Sequence, residues 1–359
     1  MTSKAKLEQL SSLVAKEGVE ALLVKSPANV RYLSGFTGQE SALLVTGDKA
    51  ILVLDFRYWT QAKQETEGVT IYQMEHGLVA AIKELVASHN IRRLGFESGN
   101  LSFKEVTELK REITGCELVP TSGIVENLRQ SKTTEEVRLV REALAIAEAG
   151  FRHILEYIKP GVAEKDLALE LEFYMRRHGA EAVAFDLIVA SGPRAALPHA
   201  TPSSRRIGSR EWLLFDLGAR YFGYNSDLTR TVWVGPGLPD DSNQKMYAAV
   251  LSAQEEAIGR LRAGVAGKEA DGFARQVLEA AGYGRYFGHG LGHGVGLEIH
   301  EEPHLSPRNP DPLPAGAIVT VEPGVYIEDN GGIRIEDMVL LGENGCQVLT
   351  ELEKELLVI

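Results

Sequence analysis

Apolar residues recur every three or four positions over residues 4–17. Leu7, Leu10, Leu13 and Val14 share one face there, and the pattern predicts a helix. Residues 19–24 form a continuous apolar run of buried-strand length. Residues 26–32 read as a short helix capped by Ser26, with Pro27 at its first position. Two apolar runs, 42–46 and 50–54, flank Gly47-Asp48 and predict a hairpin. Helical patterns at 57–67, 78–89 and 103–113 alternate with strand patterns at 69–74, 93–97 and 117–120. That alternation describes an α/β domain of about 120 residues.

Residues 128–134, LRQSKTT, are polar and lack periodicity, so we place a boundary there and expect domains at 1–128 and 129–359. Two long amphipathic helices follow, at 134–158 and 164–178. Lys159-Pro160-Gly161 stops the first of them. Strand patterns then dominate, at 185–190, 212–218, 229–234, 318–321 and 332–341. Helical patterns at 243–261 and 268–281 interrupt them. The whole chain reads as α/β in its first part and α+β in its second. No repeat and no low-complexity segment appears.

Composition adds exclusions. The chain has 359 residues and a net charge of −12. Its first 128 residues carry 14 basic and 16 acidic side chains, so the acidity is concentrated in the second part. That argues against nucleic acid and anionic membrane as partners. No apolar run approaches the length of a membrane span. The opening MTSKAKLEQL has no apolar signal core, and Cys116 and Cys346 are isolated. A cytoplasmic location is expected.

One stretch does not fit a scaffold. Residues 287–303, FGHGLGHGVGLEIHEEP, hold His289, His293 and His300 among five glycines. Glycine is costly in a core element but lets backbone approach a bulky or charged group. Histidine is both a common metal ligand and a common proton carrier. Carboxylates in apolar strand settings recur in the same half. Asp216 follows Leu213-Leu214-Phe215, Asp227 opens the next strand, Glu322 ends the run at 318–321, and Glu336 alternates with apolar residues at 332–341. A buried carboxylate is expensive unless it is paired or bound to metal. Asp216, Asp227, His293, Glu322 and Glu336 together form an oxygen-rich ligand set. It suits Mn²⁺, or Co²⁺ or Zn²⁺ less well, and several shared carboxylates suit two ions.

The motifs LPHA (197–200), FDLGA (215–219), SDLTRT (226–231), GHGLGHGVGLEIHE (288–301), VEPG (321–324) and RIED (334–337) run in one order across the second part. In this the chain resembles the pita-bread metallopeptidases, in their aminopeptidase P and prolidase branch. The first part, with DFRY at 55–58, resembles the creatinase-like N-terminal domain of that branch. The resemblance implies two divalent ions held by Asp216, Asp227, His293, Glu322 and Glu336, with Asp227 and Glu336 bridging. It implies attack on an Xaa-Pro bond by a hydroxide that bridges the ions, with Glu322 taking the water's proton. His199 would bind the tetrahedral oxyanion or the substrate backbone, and His289 and His300 would contact the residue after the scissile bond. Phe185 would line the substrate site, and Arg334 would orient the ligand carboxylates. Short peptides with proline second are the implied substrates, and a homodimer the implied assembly.

Related alternatives fit less well. Methionine aminopeptidases lack a comparable N-terminal domain. Creatinase-like hydrolysis and non-catalytic binding both go with loss of the ligands, and here all five stand. In prolidases an arginine after the last loop histidine reads the free C-terminal carboxylate. His304 holds that position here, and Arg308, four residues further on, is the candidate substitute.

Overall fold

The structure, a computed structural model, describes residues 3–47 and 49–359. The chain divides into two compact units, one up to Arg129 and one from Gln130 to Ile359.

The first unit is built on six strands, β1 (Ala21–Val24), β2 (Ser41–Thr46), β3 (Lys49–Leu54), β4 (Thr70–Gln73), β5 (Arg93–Glu97) and β6 (Glu117–Thr121). Their order is β4-β3-β2-β1-β5-β6. The central pairs β1–β2 and β2–β3 are antiparallel, and β3–β4, β1–β5 and β5–β6 are parallel. Helices α1 (Ser3–Lys16), α2 (Pro27–Ser34), α3 (Trp59–Glu65), α4 (Leu78–Ser88), α5 (Phe103–Glu112) and α6 (Ile124–Gln130) complete the α/β alternation. Leu22 and Leu23 point to opposite sheet faces, yet both are fully buried, so both faces are covered. β2 and β3 pair down to Thr46 and Lys49, next to the expected hairpin turn; Asp48 itself lies outside the described residues.

The second unit packs strands between two helix pairs. α7 (Thr134–Ile154) starts in a capping box, with Thr133 and Glu136 satisfying each other's backbone N–H groups. It packs on α8 (Glu164–Arg177), while α9 (Asp241–Arg260) packs on α10 (Gly267–Ala280). The strands are β7 (Ala182–Val183), β8 (Ile188–Ser191), β9 (Glu211–Leu217), β10 (Ala219–Tyr221), β11 (Tyr224–Asn225), β12 (Leu228–Val234), β13 (Gly292–Gly294), β14 (Glu301–Leu305), β15 (Ile318–Val321), β16 (Gly324–Ile327), β17 (Gly331–Arg334), β18 (Asp337–Gly342) and β19 (Gly345–Val348). They form sheets ordered β12-β9-β8, β11-β10-β7, β14-β13-β15-β18-β19 and β16-β17.

Alternation along β9 sorts the core. Leu213, Phe215 and Leu217 join the cluster that contains α7 and α8. Trp212 and Leu214 join the one that contains α9 and α10. Asp216 has the parity of Trp212 and Leu214, at the end of the strand where the apolar face stops. Thr229 of β12 pairs with Glu336, which joins two sheets at that point.

Four expectations need correction. The strand expected at 332–341 is two strands, because its backbone changes partner twice within four residues. Arg334 pairs with Gly324, the Glu336 N–H goes to the Thr229 carbonyl, and Asp337 pairs with Val321. The strand expected from residue 185 starts at Ile188, which leaves Phe185 in a bend. The glycine-rich stretch is not all loop, since it contains β13 and the start of β14. Part of the polar break at 128–134 is helical, in α6.

Candidate active site

The glycines in β13 are what let that strand into the sheet. A Cβ on Gly292 would sit 2.0 Å from the Thr320 carbonyl oxygen, so only glycine fits there. His293, between two such glycines, is therefore held on rigid backbone. Its own N–H donates to the Thr320 hydroxyl at 3.0 Å. Its Nδ1 lies 3.1 Å from the Gly294 carbonyl, which assigns the ring proton to Nδ1. The lone pair on Nε2 then faces Glu322 at 3.4 Å and Asp227 at 3.7 Å.

Asp216 comes from the end of β9 and Asp227 from the residue before β12. A close approach of backbone brings the two strand ends together: a Cβ on Gly218 would lie 2.0 Å from the Ser226 carbonyl oxygen. Glu336 arrives from the gap between β17 and β18. One carboxylate oxygen each of Asp216, Asp227 and Glu336 lies within 4.8 Å of the others. Glu322, just past β15, receives the Thr320 hydroxyl at 3.2 Å.

Arg334 organises this cluster. Its Nη2 donates to Asp216 Oδ2 at 2.6 Å, its Nε to the Thr229 hydroxyl at 3.0 Å and its Nη1 to the Tyr326 hydroxyl at 2.8 Å. Thr229 in turn donates to Glu336 at 2.7 Å. The Tyr326 hydroxyl lies 2.9 Å from His289 Nε2, and His289 Nδ1 lies 2.8 Å from the Gly290 carbonyl. With the ring proton on Nδ1, Tyr326 donates to Nε2 and accepts from Arg334. The ring of His300 meets that of His293 edge-on, with centroids 4.4 Å apart.

The electrostatics describe a site whose carboxylates outnumber its one cation among the described residues, Arg334. Burial, and then the neighbouring carboxylates, push Asp227 and Glu336 well above the ordinary range. Burial also raises Asp216, against the pull of Arg334, and raises Glu322 to about 7. Burial lowers His293 to about 3 and His289 to about 4. Asp216 Oδ1 is buried with no hydrogen-bond partner. Natural proteins rarely leave such an acceptor empty. An orphaned carboxylate oxygen, two more carboxylates beside it and an imidazole lone pair facing them fit divalent cations.

The cluster floors a cavity of about 590 Å³, lined also by Phe185, His199, His289, His300, His304 and Ser306. Every expected ligand lines this cavity. Arg308 does not: it is exposed in the turn after β14. Sequence reasoning missed Thr229, Thr320 and Tyr326. Thr229 was accessible in principle, because it sits two residues after Asp227 on the same strand face. Tyr326 lies in the next short strand, β16, and carries no periodic signal.

The family comparison agrees with this geometry. Residues 138–343 match the model of metallopeptidase family M24, and residues 6–131 that of the creatinase/prolidase N-terminal domain. An Xaa-Pro dipeptidase of Pyrococcus furiosus is 38% identical, over 99% of this chain and 100% of its own. The structure of an Xaa-Pro dipeptidase from Bacillus anthracis superposes with a TM-score of 0.96 at 42% identity, covering 100% of both chains. That of an X-Pro aminopeptidase from Thermotoga maritima superposes at 0.88 with 38% identity, over 95% of this chain and 98% of its own. The expected pita-bread metallopeptidase fold with its creatinase-type first domain therefore stands, and the chain belongs to metallopeptidase family M24.

Proposed function

We propose that this metallopeptidase hydrolyses the peptide bond between an N-terminal residue and proline in Xaa-Pro dipeptides. The observation that carries the reading is the convergence of Asp216, Asp227 and Glu336 beside His293 and Glu322, on the floor of a histidine-lined cavity. Those five residues would hold two divalent ions, with Asp227 and Glu336 shared between them. When bound, the ions supply Lewis acidity and an activated water. The oxygen-rich set favours Mn²⁺ over Zn²⁺.

The chain's own residues do the rest. Arg334 holds Asp216 at a fixed angle through its Oδ2. Thr229 fixes Glu336 in the same way. Glu322 is assigned to accept the proton of the attacking water and to return it to the prolyl nitrogen as that nitrogen leaves. His199 donates to the carbonyl oxygen as charge develops there. His289, locked by Tyr326, and His300 contact the proline side. Phe185 provides an apolar wall.

The relatives named Xaa-Pro dipeptidase support the dipeptide reading. A second reading, removal of the first residue from longer Xaa-Pro-Yaa peptides, is favoured by the exposed position of Arg308, which leaves the cavity without the arginine expected to read a free carboxylate. Comparing kcat/KM on an Xaa-Pro dipeptide and the matching tripeptide separates the two. Preference for the tripeptide by tenfold or more would overturn the dipeptidase assignment.

We also propose a homodimer in the cytoplasm. Exposed Leu169 and Phe173 on α8 and two unpaired cysteines are in keeping with this. Among the described residues, no helix is long and apolar enough to cross a membrane. Light scattering tests the dimer.

A further inference from the structure

We propose that Glu164, a residue remote in sequence from every motif above, is the positioning residue for His199. The inference rests on the reading that His199 acts on the substrate.

Glu164 is the first residue of α8 and has no solvent-exposed surface. It lines neither the cavity nor the ligand cluster. Its carboxylate receives five hydrogen bonds. Ser191 gives two to Oε1, from its N–H at 2.8 Å and its hydroxyl at 2.7 Å. Ser203 gives two to Oε2, from its N–H at 3.1 Å and its hydroxyl at 2.6 Å. Arg194 Nε donates to Oε2 at 3.0 Å, and its Nη2 donates to the Thr201 carbonyl at 2.6 Å. One carboxylate thus ties together the two ends of the segment 191–203 and, through Arg194, adds a second tie from residue 194 to Thr201, which encloses His199. The backbone closes the same joint, with Glu164 N–H on the Arg205 carbonyl and Lys165 N–H on the Ser203 carbonyl.

His199 sits at the tip of that segment. It faces the cavity with an exposed side chain, and no strand lies between Ser191 and Thr201 to hold it. A loop histidine needs an outside fixture if its ring is to meet an oxyanion within a fraction of an ångström. The Glu164 clasp is such a fixture. Burial alone would raise this carboxyl's pKa, but its hydrogen bonds hold it below the ordinary value. It therefore stays charged and keeps its donors.

Glu164→Gln keeps the volume but places an amide donor among donors. We expect kcat to fall on the order of 10²-fold, as for a misplaced catalytic group, with KM changing less than about threefold. Bound metal should be unchanged, and amide hydrogen exchange across 192–202 should accelerate. In the Glu164→Gln/His199→Ala double variant the two losses should not multiply, because both remove the same interaction. Arg194→Leu, at a partly exposed position, removes one of the five Glu164 hydrogen bonds and the Thr201 arm, leaves both serines in place and should show the same pattern more weakly. It keeps the test available if Glu164→Gln does not fold. Multiplying losses, lost metal or a wild-type kcat in these variants would overturn the inference while His199→Ala remained defective. A His199→Ala enzyme with wild-type kcat would instead overturn the role of His199 itself, and the inference with it.

Discussion

Glu336 and Asp337 are neighbours in the chain, both nearly fully buried, and they look out on two different regions. Asp337 faces away from the cavity. It receives Arg230 Nη2 at 2.7 Å, Gln254 Nε2 at 2.8 Å and Lys354 Nζ at 3.1 Å. Glu336 faces the cavity, where Thr229 donates a hydroxyl and the nearest charges include Glu322 and Asp216. One carboxylate is compensated by the protein, the other is left for something else to compensate. The contrast separates a structural buried acid from a candidate ligand more sharply than burial does.

Removing the compensating ions is the strongest test of this contrast. Exhaustive chelation should abolish activity and lower Tm, since ions bind the folded state alone. Mn²⁺ or Co²⁺ should restore both better than Zn²⁺. Full activity at zero metal by mass spectrometry would end the dinuclear reading.

Substituting the two neighbours should then divide their effects. Asp227→Ala or Glu336→Ala should lose metal and activity together, while the metal-free protein keeps its stability, because a carboxyl that is costly to bury has gone. Asp337→Ala should do the reverse and cost about 3–5 kcal/mol in denaturant unfolding, by stranding buried Arg230. Its metal stoichiometry should stay at the wild-type value. Equal metal loss in both variants would erase the distinction.

A smaller effect is expected at the cavity wall. His199→Ala should keep its metal and lose kcat on the order of 10²–10³-fold if it stabilises an oxyanion. Metal loss in this variant would make it a ligand. Least of all, Arg308→Ala should be nearly silent on dipeptides and tripeptides, because an exposed turn residue off the cavity contributes little. A clear rise in KM confined to dipeptides would place its guanidinium over the substrate after all.

Much of this site was readable before folding. Acidic residues inside apolar strand runs, Asp216 and Glu336 above all, stand out because no ordinary core explains them. Their motifs kept order along the chain, and that order identified the family. What stayed hidden depends on partners distant in sequence. The partner changes between Arg334 and Asp337 have no local signature, since each residue still looks like part of one strand. β13 was concealed because glycine content reads as loop until the Thr320 carbonyl is seen pressing on Gly292. Lys132 lay in a segment we read as a polar break, yet its ammonium is buried 2.7 Å from Glu301, next to His300. The clasp on Glu164 is of the same kind: its serines and arginine lie 27 to 39 residues away.

The pairing of β12 also sets a timetable. Trp233 donates its N–H to Leu357 and accepts from Ile359, Gly235 donates to Ile359, and Arg230 is held by the carbonyls of Leu352 and Glu353. A strand in the middle of the second unit therefore waits for the last residues described. At synthesis rates of about 5–20 residues/s, that wait is on the order of ten seconds. Throughout it the edge of β12 is open to pairing with a neighbouring nascent chain. The six strands of the first unit's sheet pair with one another, so that sheet carries no such delay. Crowding on the ribosome should therefore endanger the catalytic half first.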